Sequence, residues 1–266
     1  MSDFLKTMAS LSAERAALAA VTDVSAAKPV VPLVLGQFDI IAEIKDHSPA
    51  EGALSVDNDR VAQAQRYTLG GAAAISVLTE PTRFAGTLQH LQEVVAATPD
   101  TPVMRKDFLV EPVQIEEARG AGASGVLLIA TMLSDTKLGD MLECAFYHDM
   151  FVLLETFDAD DLARSSALLE RPVHQDRAQR GQFLVGVNTR NLRTLKVDAD
   201  RLAQLAPLLP AAKCVAESGL RSVEDIAHAA NLGYHLALVG SALMRSDDPS
   251  MLVADMRTAG IARIAA

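Results

Sequence analysis

Short apolar runs alternate with amphipathic helical segments along most of this chain of 266 residues. Each run is continuously apolar, which is typical of strands that are buried on both faces of a parallel sheet. Eight such strand–helix units favour a single (β/α)8 TIM barrel over an open doubly wound sheet. No G-x-G-x-x-G motif follows the first strand, which weakens a dinucleotide-binding interpretation.

The pattern places each element approximately. We predict strands over 40–45, 73–79, 102–108, 125–130, 151–156, 183–188, 213–218 and 236–240. We predict helices over 61–69, 87–97, 112–121, 135–147, 159–169, 199–209, 223–232 and from 249 to about 258. One domain should span 1–266, with a helical extension and connector over 1–35, and the polar segment 171–182 should lie on the non-catalytic face of the barrel.

Charge and composition narrow the function classes. The net charge of −10 and the absence of a Lys/Arg block argue against nucleic-acid binding, although a local pocket can still attract a small anion. No apolar segment is long enough to cross a membrane, and no signal-peptide pattern opens the chain, so we expect a cytoplasmic protein. Cys144 and Cys214 lie in apolar runs, and we expect both in the core, since the two separated thiols lack partner His spacing and no carboxylate/His cluster has metal-ligand spacing.

Four short apolar runs end on an ionisable side chain at or near the end of a predicted strand: Lys45, Lys106, Glu155 and Glu217. Charge is costly inside a barrel, and the carboxyl ends of barrel strands converge on one face, so these groups should share a site there. The mouth should contain side chains and turns from most of the βα units: Glu43, Lys45, Ser48, Lys106, Phe108, Glu155, Asn188, Arg190, Glu217, Ser218, Gly219, Gly240 and Ser241.

The residue types suggest particular roles, each with a plainer alternative. Lys106 and Glu155 are suited to acid/base chemistry, or else form a structural ion pair at the rim. The glycine turns after the last two strands match the usual phosphate site of this fold, or are ordinary turns. Phe84 and Phe108 are candidates for an apolar wall against an aromatic substrate, although loop packing explains Phe84 equally well.

A series of segments resembles the indole-3-glycerol phosphate synthase family, in order and at the family's spacing from about residue 40 to residue 249. The segments are IAEIK with SP at 41–49, AISVLTE at 74–80 with Phe84 and Gly86, RKDF at 105–108, QI and EAR within 114–119, VNTRNL at 187–192, AESG at 216–219 and VGSALM at 239–244. Each segment is weak alone, whereas the ordered set is highly specific.

The resemblance implies a carbon–carbon lyase of tryptophan biosynthesis that closes a ring, decarboxylates and dehydrates 1-(2-carboxyphenylamino)-1-deoxyribulose 5-phosphate, without a metal or organic cofactor. It implies that Lys106 is the general acid and Glu155 its partner in dehydration. By the same resemblance, the remaining residues bind and tune: Glu43, Asn188 and Glu217 at the sugar hydroxyls, Lys45, Ser48 and Arg190 at the anthranilate carboxylate, Phe84, Phe108 and Leu127 at the ring, and Ser218, Gly219, Gly240 and Ser241 at the phosphate.

The first βα loop departs from the family pattern. Asp46 stands where the family usually has a base, and Ala50-Glu51 stand where it often has Ser-Lys. Acids facing the mouth would repel a doubly anionic substrate. We therefore retain an alternative hypothesis. In it, the chain is a divergent paralogue that acts as another phosphosugar barrel enzyme or binds a phosphorylated ligand without turnover. In either case the expected partner is a small phosphorylated molecule, with no nucleic acid or membrane, and the chain should be a monomer or weak oligomer.

Overall fold

The computed structural model describes residues 2–20, 22–48, 52–53, 59–190 and 196–264. Within these ranges, eight parallel strands close into a barrel in their order along the chain, and the first strand pairs with both the second and the last. Helices alternate with the strands along the chain, so the predicted (β/α)8 fold is confirmed. No helix in the described ranges combines the length and the apolar character that crossing a membrane requires.

The element bounds are as follows. The barrel strands are β1 Asp39–Ile44, β4 Ala74–Leu78, β5 Val103–Lys106, β6 Gly125–Ile129, β7 Phe151–Thr156, β8 Phe183–Asn188, β9 Lys213–Glu217 and β10 Leu236–Val239, and an antiparallel pair is formed by β2 His47–Ser48 and β3 Gly52–Ala53. The α-helices are α1 Asp3–Leu18, α2 Arg60–Leu69, α3 Pro81–Phe84, α4 Leu88–Ala97, α5 Pro112–Gly120, α6 Asp135–Tyr147, α7 Ala159–Leu169, α8 Pro172–Gln179, α9 Arg201–Leu205, α10 Val223–Asn231, α11 Ser241–Met244 and α12 Pro249–Ile264. Short 3-10 helices cover Val24–Ala26, Ala130–Met132 and Ala206–Leu208.

All eight predicted strands are present, and the observed bounds differ from the predicted ones mainly at the ends. The predicted helix 199–209 is shorter, because Pro207 lies in the 3-10 turn that ends it. The polar segment 171–182 contains helix α8, whose first residue is Pro172, a favourable first position for proline. This segment leads into the start of β8, as expected for the face opposite the strand ends.

The strands divide their side chains between two apolar layers, because alternate residues of a strand point to opposite faces. One set, which includes Ile40 and Val126, points outward. It packs against helix residues such as Leu91, Ile115 and Ile226. The other set fills the barrel interior, and it includes Ile41, Met104, Leu127, Leu153, Leu184, Val215 and Leu238. The inward set matters for the site, since it continues upward into the polar strand ends.

Helix α1 is fastened to the end of β5 by a buried ion pair. The Arg15 guanidinium donates two hydrogen bonds to the Asp107 carboxylate, at 2.7 and 3.1 Å. Asp107 also accepts hydrogen bonds from Thr79 Oγ1 at 2.8 Å and from Arg105 Nη2 at 3.2 Å. Burial disfavours the Asp107 carboxylate, but Arg105 and Arg15 outweigh burial and hold its pKa below the ordinary value. The N-terminal helix is therefore held beside the residues that follow Lys106.

We expect Arg15→Ala to lower the free energy of unfolding by roughly 1–3 kcal/mol, because it removes two charge-assisted hydrogen bonds from a fully buried carboxylate. Urea denaturation followed by circular dichroism measures this loss. Arg180→Ala is the control, since the Arg180–Asp176 pair is exposed and such pairs contribute under about 1 kcal/mol. Equal losses in the two variants would contradict the proposed anchoring.

Candidate active site

Lys106 is the last residue of β5. Its side chain points into the barrel, because it lies two positions after the interior residue Met104. Its ammonium Nζ lies 3.4 Å from Glu217 Oε2, 3.5 Å from Glu155 Oε2 and 3.9 Å from Glu43 Oε2. Lys106 and Glu155 are therefore in contact, as the sequence predicted. Glu43 and Glu217 share the same ammonium.

The same alternation places each carboxylate. Glu43, Glu155 and Glu217 each follow an interior apolar residue by two positions, so each side chain points into the barrel near the end of its strand. All three are buried. A second cation joins the group, since Lys45 Nζ lies 2.6 Å from Glu43 Oε1.

The carboxylates control the charge of Lys106. Burial opposes the charged ammonium, but the Coulomb attraction of Glu217, Glu155 and Glu43 is larger in sum and raises the pKa of Lys106 above its usual value. For Glu43 the balance has the opposite sign: burial raises its pKa, while Lys45 and Lys106 together bring the pKa below the ordinary value. Lys106 is therefore a cation at neutral pH, and Glu43 is an anion.

Glu217 behaves differently because a second carboxylate lies beside it. Burial and the neighbouring Glu155 raise the pKa of Glu217, Lys106 lowers it, and the net result is a pKa of about 8. The Glu217 Oε1 atom is buried without a hydrogen-bond donor in the described structure. Glu217 is therefore protonated at neutral pH and holds one proton next to Lys106.

Two glycines make room for this charged group. A Cβ on Gly186 of β8 would overlap Glu217 Oε1, and a Cβ on Gly240 would overlap Glu43 Oε1 and lie 2.9 Å from Lys45 Nζ. The carboxylates therefore occupy space that any larger residue at 186 or 240 would fill.

An aromatic cluster lies beside the charged group. Phe84 and Phe108 have ring centroids 6.2 Å apart, and Phe4 of α1 meets Phe108 edge-on at 5.9 Å. Leu127 and Leu238 add aliphatic surface to the same cavity. The sequence predicted Phe84, Phe108 and Leu127 but missed Phe4, because helical periodicity alone did not show where the N-terminal helix packs.

The turns predicted to bind phosphate have unusual backbone geometry. Ser218 and Gly219 are consecutive residues with positive φ, at 67° and 77°. This region is sterically costly for Ser218 and unstrained for Gly219, and the predicted phosphate contact stays a prediction. Gly240 and Ser241 line the same cavity, where α11 begins with N–H groups that lack intrahelical partners.

Asn188 is the last residue of β8, and Arg190 follows it by two positions. The Asn188 Oδ1 atom accepts a hydrogen bond from the Arg190 backbone N–H at 2.8 Å, which fixes the turn that carries Arg190 toward the cavity. An isolated antiparallel bridge pairs Arg190 with Val197 on the other side of the loop. The motif residues Asn191 and Leu192 lie outside the described residues.

The departures in the first loop have a structural explanation at Asp46. Its carboxylate Oδ2 accepts hydrogen bonds from Arg60 at 2.8 and 3.0 Å and lies 3.8 Å from His90 Nδ1. Asp46 therefore belongs to a network between the loop and helices α2 and α4, and it does not line the large cavity. The backbone of Ser48 pairs with Gly52 in the β2–β3 hairpin. Ala50 and Glu51 lie outside the described residues, as does the side chain of Ser48.

These parts form one open cavity of about 1050 Å³, solvent mouth included. It is lined by predicted residues from the charged group, the aromatic cluster and both turns: Glu43, Lys45, Phe84, Lys106, Phe108, Leu127, Glu155, Asn188, Arg190, Ser218, Gly219, Gly240 and Ser241. Glu217 reaches the group through Lys106. Sequence reasoning missed Arg221, which lines the cavity two residues after Gly219, although its position beside the predicted phosphate turn was a usable signal.

Solved structures with a similar fold include 3-hexulose-6-phosphate synthase from Salmonella typhimurium. That chain is matched with a TM-score of 0.64 at 16% identity, covering 85% of this chain and 100% of the other. At this identity the match supports the barrel fold alone.

Relatives at higher identity are more specific. An indole-3-glycerol phosphate synthase of Parafrankia sp. (strain EAN1pec) is 43% identical over 225 residues, covering 84% of this chain and 79% of the relative. One of Paenarthrobacter aurescens (strain TC1) is 38% identical over 262 residues, covering 98% and 92%. The family profile for indole-3-glycerol phosphate synthase matches residues 28–256. With this extent of similarity and this site geometry, the chain belongs to the indole-3-glycerol phosphate synthase family.

Proposed function

We propose that this protein is an indole-3-glycerol phosphate synthase, a carbon–carbon lyase of tryptophan biosynthesis. It converts 1-(2-carboxyphenylamino)-1-deoxyribulose 5-phosphate into indole-3-glycerol phosphate, carbon dioxide and water. The main support for the residue roles is the position of the Lys106 ammonium, which lies within 3.9 Å of three carboxylates. The same cavity has aromatic walls and two glycine turns.

The cavity offers a separate environment for each part of this substrate. The phosphate suits the backbone N–H groups around Ser218-Gly219 and Gly240-Ser241. The aromatic ring suits Phe84, Phe108 and Leu127, with Phe4 as an additional contact. Arg190 and Lys45 provide positive charge for the ring carboxylate. Fixing both ends of a flexible molecule in this way brings its reacting carbons together and removes much of the entropic barrier to ring closure.

In the first step, the ring carbon that bears the carboxylate attacks the sugar carbonyl carbon. The carbonyl oxygen becomes an alkoxide as the bond forms, and Lys106 donates a proton to it. An alkoxide is a stronger base than the lysine amine, so the transfer is favourable even though Glu217, Glu155 and Glu43 outweigh burial and raise the pKa of Lys106. Carbon dioxide then leaves, and the electrons of the broken bond restore the aromatic ring.

Dehydration completes the indole. Glu155 removes a proton from the carbon next to the nitrogen, and the new hydroxyl group leaves as water with a second proton from Lys106. The proton on Glu217 recharges Lys106 between the two donations. Lys106 gives two protons in each turnover and recovers one from within the site. Each turnover therefore takes one proton from solvent, as decarboxylation of a carboxylate requires.

The alternative functions are less well supported. A phosphosugar isomerase or epimerase would use the glycine turns, but it has no need for an aromatic wall beside a lysine with three carboxylates. A binding protein without turnover was suggested by the acids of the first loop, yet Asp46 pairs with Arg60 away from the cavity. As part of the proposal, the protein works in the cytoplasm as a monomer or weak oligomer on a small phosphorylated substrate.

The first test is turnover itself, followed by the fluorescence of indole-3-glycerol phosphate. We expect Lys106→Met to lower kcat by at least about 10²-fold, because the general acid is lost, while circular dichroism stays unchanged. Lys137→Met is the matched control, since Lys137 pairs with Glu111 outside the cavity. Absence of product from the unaltered protein would overturn the function, and near-normal turnover by Lys106→Met would overturn the role of the lysine.

A second test concerns Asp46. If its charge were directed at the substrate, Asp46→Asn would lower KM at low ionic strength. We expect no decrease in KM, because Arg60 already neutralises the carboxylate at 2.8 Å, and a loss of up to about 1 kcal/mol in unfolding free energy. Arg60→Gln should reproduce the stability loss. A KM several-fold lower for Asp46→Asn alone would contradict this orientation.

A third test concerns Arg221, whose exposed guanidinium makes no ion pair with another residue in the described ranges. We propose that it contacts an anionic group of the substrate. Arg221→Gln should raise KM by at least about tenfold and leave kcat nearly unchanged, since a charge-assisted hydrogen bond that forms on binding is lost. Arg180→Gln on α8, far from the cavity, serves as the control. Unchanged KM in Arg221→Gln would exclude the contact.

A further inference from the structure

Three metal-binding side chains meet on the outer helical layer, apart from the active-site cavity. Glu116 comes from α5, and Cys144 and His148 come from the end of α6. The carboxylate oxygen, the thiol sulfur and the imidazole nitrogen that they offer lie within 4.8 Å of one another, and all three residues are half-buried. None of them lines the cavity that contains Lys106.

The sequence did not predict this cluster, because its spacing becomes visible only when two helices pack together. Cys144 and His148 are four residues apart, so they lie on the same face of α6. Helix α5 packs against α6 and adds Glu116 to that face. Cys144 was expected in the core, but it is only partly buried and packs against the core from the helical layer.

The three side chains of the cluster have few other contacts. The Cys144 thiol has a long contact of 3.7 Å with the Pro112 carbonyl oxygen. In the described part of the chain, neither Glu116 nor His148 forms a side-chain hydrogen bond or ion pair; the His148 ring meets the Tyr147 ring at 5.0 Å. A cation among these groups would be attracted by the Glu116 carboxylate and coordinated by all three side chains.

We propose that Glu116, Cys144 and His148 bind a zinc ion that joins helices α5 and α6. Sulfur, imidazole nitrogen and carboxylate oxygen are the three donor types that zinc accepts, and one residue supplies each. A hard cation such as magnesium would avoid the thiolate, so the donor set selects a borderline or soft divalent metal. Water would complete the tetrahedral coordination.

The required movement is small. Metal–ligand distances of about 2.0–2.3 Å place tetrahedral donor atoms roughly 3.3–3.8 Å apart. The present separations of up to 4.8 Å therefore need to close by about one ångström, which side-chain rotation on two fixed helices accomplishes. The thiol loses its proton as the bond to zinc forms, and that proton passes to solvent.

The position of the cluster gives the zinc a structural consequence. Helix α5 follows β5, which carries Lys106, and helix α6 precedes β7, which carries Glu155. The Lys137–Glu111 ion pair, at 2.8 Å, is an existing link between α6 and the start of α5. A zinc ion at Cys144 would add a second link between the same helices, and so between the two strands whose ends hold the acid/base pair.

The test uses the full-length protein freed of metal with a chelator and titrated with cobalt(II), which reports thiolate coordination through a charge-transfer absorption band. We expect one equivalent to bind with that band, and added zinc to displace the cobalt. Cys144→Ser should abolish the band, and His148→Gln and Glu116→Gln should each weaken cobalt affinity by at least about tenfold. Cys214→Ala is the control, because the buried Cys214 lies outside the cluster.

Each outcome decides the proposal. A charge-transfer band that survives in Cys214→Ala and disappears in Cys144→Ser supports it, as does a zinc-dependent rise in melting temperature in the unaltered protein that Cys144→Ser lacks. No cobalt band at micromolar protein, or a band that persists in Cys144→Ser, overturns it. Synthase turnover by Cys144→Ser should match that of the unaltered protein, so failure here is separate from failure of the proposed activity.

Discussion

The site depends on one cation that three acidic side chains share. The Lys106 ammonium lies within 3.9 Å of Glu43, Glu155 and Glu217, all of which are buried. Without the lysine, three adjacent carboxylates inside a barrel would repel one another and take up protons. Without the carboxylates, burial would drive the lysine toward its neutral form. The carboxylates keep Lys106 charged, Lys106 helps to lower the pKa of Glu43 and opposes the rise in the pKa of Glu217, and the barrel holds these groups at fixed strand ends.

A second buried network supports the first from outside. Asp107 follows Lys106 directly and is bound by Arg15, Arg105 and Thr79. Its carboxylate also accepts the backbone N–H of Phe108 at 2.8 Å. The end of β5 and the aromatic wall at Phe108 are thus tied to the same carboxylate as helix α1. The N-terminal helix in turn brings Phe4 to the cavity, so the extension contributes to the site as well as to stability.

The barrel was predictable from the sequence because each of the eight continuous apolar runs indicates a strand buried on both faces. The direction of the side chains at the strand ends follows from the period of two along each strand. Lys106, Glu155 and Glu217 could be placed at one mouth for that reason. The contacts that depend on how separate elements pack could not be predicted. Phe4, the Asp46–Arg60 pair and the Glu116–Cys144–His148 cluster all join residues from different helices or loops, and a single sequence carries no signal for such pairings. The resemblance to a family supplied the substrate, which the periodicity could not.

The arrangement of Lys106 and its carboxylates depends on the absence of side chains at Gly186 and Gly240. Each glycine leaves a hollow in the barrel wall, and a carboxylate oxygen fills it. Even an added methyl group at either position would force an acid away from its lysine, a far larger effect than the size of the change suggests. Anyone transplanting this arrangement into another barrel must therefore copy two empty spaces along with the ionisable residues.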